Sequence, residues 1–431
     1  MGSSLAPGAE SEARERRPVG ALQLLALGVN GIVGVGIFFA PATVAKLAPG
    51  RTSILAFAAT GLALVPAALA FATLGRRFDE DGGPVVFARA AFGEFASFVV
   101  GWVAYVSAFL SASAVMVGLT NAAAPALGLR GPLALRVFAT ALVAVLALVV
   151  ASGIRVSAWA WTSLTVLKLL PLLALLAAFL VFTGPSAATA GSGDASWLRA
   201  GLTIMFTFQG FEIVPVIAGQ VRSSARAIPW ATVGSLLLAI LLYVGLVAAC
   251  VAALPGLAGS GAPLAEAAGV LGGAALARVV GLGTSVSALG IALGMMVTTP
   301  HYLSALASGR RPLFDLERLD AKGVPMRALF VTWVLVTVLV NAGDLGELFA
   351  LSSIAVLMQF GVTAAALVAL ALRRERGLRP IDAWPAVPTF VVGIVLVAFG
   401  ATLRESVVAV GAVALGLVLS HLAPQRVGAG S

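Results

Sequence analysis

Charged residues are in short supply. Only 10% of the 431 residues are Asp, Glu, Lys or Arg, against about 25% in an ordinary soluble domain. That shortage excludes a water-exposed globular surface over most of the chain. Cysteine occurs once, at Cys250 inside an apolar run, so no intramolecular disulfide framework is expected and the thiol reads as a small buried hydrophobe. Histidine occurs only at His301 and His421. There is no Cys/His metal spacing and no phosphate-cradling Walker-type loop, which leaves little material for a membrane enzyme; no cofactor and no metal are expected. Acidic residues are outnumbered, giving a net charge of +9, but the basic residues sit in short connecting stretches and read as membrane topology, so no nucleic acid partner is expected. The polar segment Met1–Pro18, with Arg14, Arg16 and Arg17, leads directly into an apolar run, and no cleavable signal peptide is expected.

Long apolar runs are what the chain has in abundance: 60% of residues are hydrophobic and mean hydropathy is +1.05. The runs recur at about 20 residues, the length that spans about 30 Å of hydrocarbon at about 1.5 Å per residue. They do not alternate, which excludes a transmembrane β-barrel. The expected fold class is an all-α polytopic membrane protein. Apolar runs between charged or Gly/Pro-rich breaks give about twelve spans, at 20–47, 52–75, 94–122, 133–152, 158–183, 198–221, 229–255, 270–306, 326–341, 345–371, 385–402 and 404–422. An even number puts both termini on one side. Most Lys and Arg then fall on that side; the opposite side holds only Lys46, Arg51, Arg130, Arg136, Arg199, Arg278 and Arg404, and Lys168 lies within a span. The positive-inside rule makes the terminal side cytoplasmic, in a plasma (inner) membrane.

Two spans carry helix-breaking sequences. GVNGIVGVGIFFAP, residues 28–41, places Gly28, Gly31, Gly34 and Gly36 ahead of Pro41. FTFQGFEIVP, residues 206–215, places Gly210 mid-span and Pro215 after it. Span six is also the first of a second set of five. Broken helices survive in lipid only where they are buried or line a cavity, and paired interruptions in two halves point to a transport site. Freed N–H groups at a half-helix N-terminus suit a carboxylate, and freed carbonyls suit an ammonium, so the pair describes a site for a zwitterion. Gly28 and Gly31 read as close-packing positions, Gly34-Val35-Gly36 as the opened backbone.

Lys168 and Glu212 are the clearly buried ionisable residues of the spans. An intramembrane charge costs about 2.5–3.5 kcal/mol on insertion scales, so function is the default reading. Glu212 reads either as a brace for the unwound segment or as a proton-linked group. Lys168 lies roughly ten residues into its span, too deep for snorkelling, and an amine held in an apolar site can give up its proton within a working pH range.

Four segments together resemble bacterial members of the amino acid–polyamine–organocation transporter family. Gly34-Val35-Gly36-Ile37-Phe38 with Pro41 is similar to the family's span-one GxGIF motif. ATLGRRFDEDGGPVVFARAAFG, residues 72–93, is similar to its loop after span two, with Asp79 in place of the usual proline and Phe87 as the aromatic. FTFQGFE resembles its span-six motif, and VSALGIALGMMVTTPHYLSALASGRRPLF, residues 286–314, its span eight and cytoplasmic exit. The DEDGGP part of the loop, residues 79–84, reads from composition as a solvated hinge.

The resemblance implies a leucine-transporter-like fold with two inverted five-helix repeats, 20–183 and 198–371, peripheral helices at 385–422, and cytoplasmic tails at 1–19 and 423–431. It also implies amino acid transport by alternating access. The family's carboxylate contacts fall on the backbone of Val35, Gly36 and Ile37. Its ammonium-binding carbonyls fall on Ile32, Phe206 and Gln209, and Phe206 matches a capping aromatic. Ser107, Ala108, Ser111 and Ala112 match the wall facing the substrate side chain. Lys168 matches a span-five lysine whose ammonium takes the place of sodium in related carriers, with Ser287 as the expected span-eight partner ahead of Ser285. Proton coupling follows from that match, and sodium is not expected. His301 stands where the family often has arginine and reads as an interfacial polar residue, as does His421.

The small span-three wall, with Phe206, Phe208, Gln209 and Gly210 opposite, favours a neutral amino acid, small to medium or hydrophobic, and Ser352, Ser353 and Gln359 of span ten are candidates to reach the pocket as well. Amino acid exchange, a cationic amino acid or polyamine permease, and a membrane amino acid sensor stand as alternatives to proton-coupled uptake.

Overall fold

A computed structural model describes residues 19–124, 127–153, 158–182, 195–221, 223–307 and 315–422. The described residues are helical throughout, apart from connecting turns and a single bridge pairing Val19 with Val221. In lipid the backbone must satisfy its own hydrogen bonds, and the Ala-, Leu- and Val-rich runs do so as helices. Eight helices among the described residues are long and apolar enough to cross a membrane, or nine when the bent pair at the start of the chain counts as one span. The protein is therefore a multi-pass membrane protein. Lys168–Phe182 and Met326–Ala342 are shorter apolar helices.

The elements that position the site are few. The first run divides into α1 (Ala21–Ile32) and α2 (Gly36–Ala45), bent by 42° across residues 33–35. The second run is nearly continuous as α3 (Arg51–Ala63) and α4 (Val65–Gly75). The stretch after it contains a further helix, α5 (Pro84–Phe92). Then come α6 (Glu94–Ala123), α7 (Pro132–Ala151) and α8 (Ala158–Phe182). The sixth run starts as α9 (Trp197–Met205) and continues only as 3₁₀ turns, Phe206–Phe208 and Phe211–Gln220, separated at Gly210. Beyond it lie α10 (Ser224–Ala253), α11 (Pro263–Ala307), α12 (Met326–Ala342), α13 (Leu345–Leu372), α14 (Ala386–Gly400) and α15 (Leu403–Leu422).

Helical segments are found within each of the intervals read as spans, and eight or nine of the described helices are long and apolar enough to cross a membrane. α11 begins at Pro263 instead of 270 because a short helix runs into it across Gly273, whose φ of 77° breaks the helix. DEDGGP, expected as a solvated hinge, does expose Asp79, Glu80 and Asp81, and it is also tied down. Asp81 accepts hydrogen bonds from Gly219 N (2.9 Å) and Gln220 Nε2 (3.0 Å), Asp79 Oδ1 accepts from Ser224 Oγ (2.7 Å), and Gly82 N donates to Val216 O (2.8 Å). The loop is latched to the end of the sixth run.

These contacts mark one face of the bundle, to which Arg373 also belongs through its bond to Ala91 O (3.0 Å). The opposite face is marked by Ser196 N on Leu47 O (2.8 Å), by Arg199 on Glu405 and by Arg404 on Glu347. Between the faces, α6 packs on α11 and α13, α1 on α10, and α8 on α11. Large apolar side chains such as Leu148, Val181, Phe399 and Leu403 are exposed at the rim, where lipid covers them.

Candidate substrate and coupling site

The two broken elements cross at their glycines. A Cβ on Gly31 would meet Gly210 O at 3.0 Å, and a Cβ on Gly210 would lie inside the backbone of Gly31 and Ile32. Gly210 also has φ 130°, a conformation open to glycine and strained for other residues. Gly28 packs on Ser235 and Val214, and Gly36 on Thr207, with Thr207 Cα only 2.9 Å from the Cβ that Gly36 lacks. Gly36 is thus a close-packing glycine as well as the first residue of α2. Gly34 has only Ile32 O nearby, at 3.6 Å.

The C-terminal turn of α1 leaves carbonyls without helical donors. Lys168 Nζ donates to Asn30 O (2.7 Å) and Val33 O (2.6 Å), and Tyr243 Oη donates to Ile32 O (2.8 Å). The negative end of α1 thus faces an amine, the favourable sense for a helix dipole. Across the break, Gly36 and Ile37 open α2, where N–H groups have no intrahelical acceptor. In the sixth run, Glu212 Oε2 accepts from Gly210 N (2.8 Å) and holds the turn closed from within.

A cavity of about 570 Å³ lies against these segments. Ile32, Val35, Gly36, Ser107, Ala108, Ser111, Lys168, Phe206, Gln209, Gly210, Glu212 and Ser287 line it. Ile37, Phe208 and Ala112 do not: all are fully buried, and the Phe208 ring packs on Phe57 and Tyr243. Ser287 Oγ lies at the wall without a hydrogen-bond partner among the described residues. Ser285 bonds its own helix at Gly281 O. His301 is exposed beside the cavity-lining Tyr302, and the side chain of His421 lies outside the described residues. Of the span-ten residues, Gln359 lines the cavity, while Ser352 reaches it through Ser111 and Gln209. Phe206 stacks on Phe349 with ring centres 4.2 Å apart. Asn30 and Tyr243 were not found by sequence reasoning. Tyr243 sits in an unbroken apolar run, and only its hydroxyl marks it out.

Comparison with known proteins accords with this geometry. A family model of amino acid permeases matches residues 19–414. The chain belongs to the amino acid permease family. An uncharacterized transporter of Mycobacterium bovis is 30% identical over 422 residues, covering 96% of this chain and 92% of its own. The branched-chain amino acid permease of Bacillus subtilis is 28% identical over 53% of each chain. Cationic amino acid transporter 9 of Arabidopsis thaliana, a chloroplastic protein, is 30% identical over 58% of this chain and 48% of its own. The permease's relatives are transporters, and family membership supports amino acid transport with a small-molecule amino acid as its substrate.

Proposed function

We propose that this permease is a secondary active transporter, and not an enzyme, that takes up neutral amino acids by alternating access coupled to protons. The carrying observation is the Lys168 ammonium bonded to Asn30 O and Val33 O at the break between α1 and α2. The amine fills the place a metal cation would need, so sodium is not required. Loss of its proton removes the charge that strengthens its bonds to the two carbonyls, weakening both and loosening α1 from α8. Substrate and proton then bias the same hinge.

In this reading the substrate carboxylate meets the N–H groups of Val35, Gly36 and Ile37. Its ammonium meets carbonyls of Phe206 and Gln209 and the second lone pair of Ile32 O, the first being taken by Tyr243. Ser107, Ala108 and Ser111 face the side chain, and Phe206 caps it. Glu212 braces the sixth run. The neutral side chain follows from the lining, where the only acid among the described residues, Glu212, is already engaged by Gly210 N. In this reading twelve spans form two inverted five-helix repeats, 20–183 and 198–371, with peripheral helices at 385–422. Both termini lie in the cytoplasm of a bacterial-type plasma (inner) membrane, on the face that carries the 79–84 loop.

Proteoliposomes with no internal amino acid test the proposal. An acid-outside gradient should drive accumulation of labelled neutral amino acid without sodium, and Lys168→Ala should lose that drive while keeping counterflow. Flux that ignores the proton gradient and needs internal amino acid would make the protein an exchanger.

A further inference from the structure

The acids around the loop-face end of α4 all have partners. Glu80 meets Arg89 at 3.0 Å and lies 3.9 Å from Arg376, Glu375 lies 3.9 Å from Arg373, and Asp382 lies 3.9 Å from Arg379. Asp79 and Asp81 accept the hydrogen bonds of the latch. Arg76 and Arg77, which follow α4 directly, are left over. Neither guanidinium has an acid or a hydrogen-bond acceptor among the described residues. Their Nε atoms are shut off from solvent without a partner, and groups of this kind call for an explanation. Both side chains are otherwise part-exposed. The stems are therefore packed in place while the outer nitrogens of the two forks stay open. Two like charges fixed side by side repel each other, so the pair calls for an anion.

The surroundings identify that anion. α4 packs against both α10 and α14. On one side, Gly75 meets Ile228 of α10; on the other, Arg77 Nη1 lies 3.1 Å from the Cβ that Gly377 lacks, in the connection between α13 and α14. Each flank presents a tryptophan outward at this level. Trp230, two residues on from Ile228, is 51% exposed, and Trp384, which leads into α14, is 57% exposed. Tryptophan on the outside of a membrane protein marks the headgroup level. Deeper in, Leu237 and Leu241 of α10 and Val387 and Val391 of α14 are exposed and face hydrocarbon. A soluble anion would use the arginines alone. A phospholipid uses both surfaces, with its phosphate on the forks and its chains on the apolar residues. Arginine takes phosphate through two parallel bonds, and basic pockets between spanning helices on the cytoplasmic side suit anionic head groups. We infer that Arg76 and Arg77 form the headgroup site of an anionic phospholipid whose chains lie along α4 between α10 and α14. A zwitterionic lipid would bring its own ammonium to two positive charges and is disfavoured.

Lipid binding tests this without reference to the transported substrate. Purified full-length protein in a neutral detergent is titrated with dioleoylphosphatidylglycerol, with dioleoylphosphatidylcholine and with inorganic phosphate, and stabilisation against heat is followed. Phosphatidylglycerol should stabilise the protein saturably, phosphatidylcholine far more weakly, and millimolar phosphate not at all. Each arginine contributes about fivefold near an anionic lipid surface, so Arg76→Gln/Arg77→Gln should weaken phosphatidylglycerol binding by more than about tenfold. Arg130→Gln/Arg136→Gln, at two exposed arginines on the opposite face, should leave it unchanged. Equal stabilisation by the two lipids in the unaltered protein would overturn the proposal even if the variants do not fold. Phosphatidylglycerol binding that survives Arg76→Gln/Arg77→Gln would overturn it too. Stabilisation by phosphate equal to that by phosphatidylglycerol would make this a site for a free anion and overturn the lipid assignment.

Discussion

Gly210 and Gly34 are both glycines of broken segments, yet they carry different demands. Gly210 has φ 130° and faces the backbone of Gly31 and Ile32. Gly34 has a negative φ and open space beyond an ordinary 3.6 Å contact. Gly210→Ala should therefore cost about 1–3 kcal/mol of strain plus the separation of the two crossing segments. Gly34→Ala should unfold within a degree or two of the unaltered protein by the ordinary scale of benign surface changes, about 0.5 kcal/mol or less. Thermal unfolding of the two variants in one detergent checks the contrast, and equal losses would show that the crossing is not held as described. Tyr243→Phe is a milder probe. It removes one neutral hydrogen bond, worth about 0.5–1.5 kcal/mol, and leaves Ile32 O free to bind substrate with both lone pairs. Stability should fall slightly while substrate affinity is kept or improved; a large affinity loss would give the tyrosine hydroxyl a direct substrate contact.

At the scale of elements, how legible a feature was depended on how far its partners lay along the chain. The breaks in the first and sixth runs could be read because glycine clusters inside apolar runs are complete local signals. Lys168 could be read because its depth in a span is itself local. The carbonyls it holds lie 138 and 135 residues away and carry no local mark. The exposure of Asp79, Glu80 and Asp81 could be read from their local acidic composition, but the groups that anchor the loop, from Val216 to Ser224, lie well over a hundred residues on. The Arg199–Glu405 pair was equally hidden. Arg199 Nη1 and Nη2 meet the two Glu405 oxygens at 2.6 and 2.7 Å, Nη1 also reaches Gly400 O, and Glu405 is 1% exposed. Both arginine and glutamate look, in sequence, like ordinary loop charges. The pair ties α9 to the turn between α14 and α15. Removing one partner of a buried pair costs about 3–5 kcal/mol, whereas replacing both with apolar residues is often neutral. Glu405→Leu alone should lower stability markedly, and the double variant Arg199→Met/Glu405→Leu should recover most of the loss in thermal unfolding. Additive losses would mean that the pair does not act as one unit.

For the whole molecule, the cavity's reach sets which side the substrate meets. Its lining runs from the broken segments to Gly82, Pro84 and Val85 of the latched loop and to Tyr302 and Ala305 on α11. Toward the other face the Phe206 ring lies flat on Phe349. The cavity therefore extends toward the loop face, the cytoplasmic side of the proposed topology, and the proposed alternating access would part the aromatic stack while Val216 and the loop close. Cys250 is the chain's one cysteine and is wholly buried, so an introduced thiol can be read without native background. Tyr302→Cys should react with a membrane-impermeant thiol reagent in inverted membrane vesicles, where the cytoplasmic face is outward, and bound amino acid should slow the reaction. In right-side-out vesicles the same thiol should stay unreacted, because it lies on the loop side of the site and that side closes when the protein turns outward. An outward-facing resting state would slow the reaction in inverted vesicles without speeding it in right-side-out ones. If the termini instead lay outside, Tyr302→Cys and a thiol placed in the C-terminal tail would both label from the external face, so the pair of positions separates a wrong topology from a wrong resting conformation.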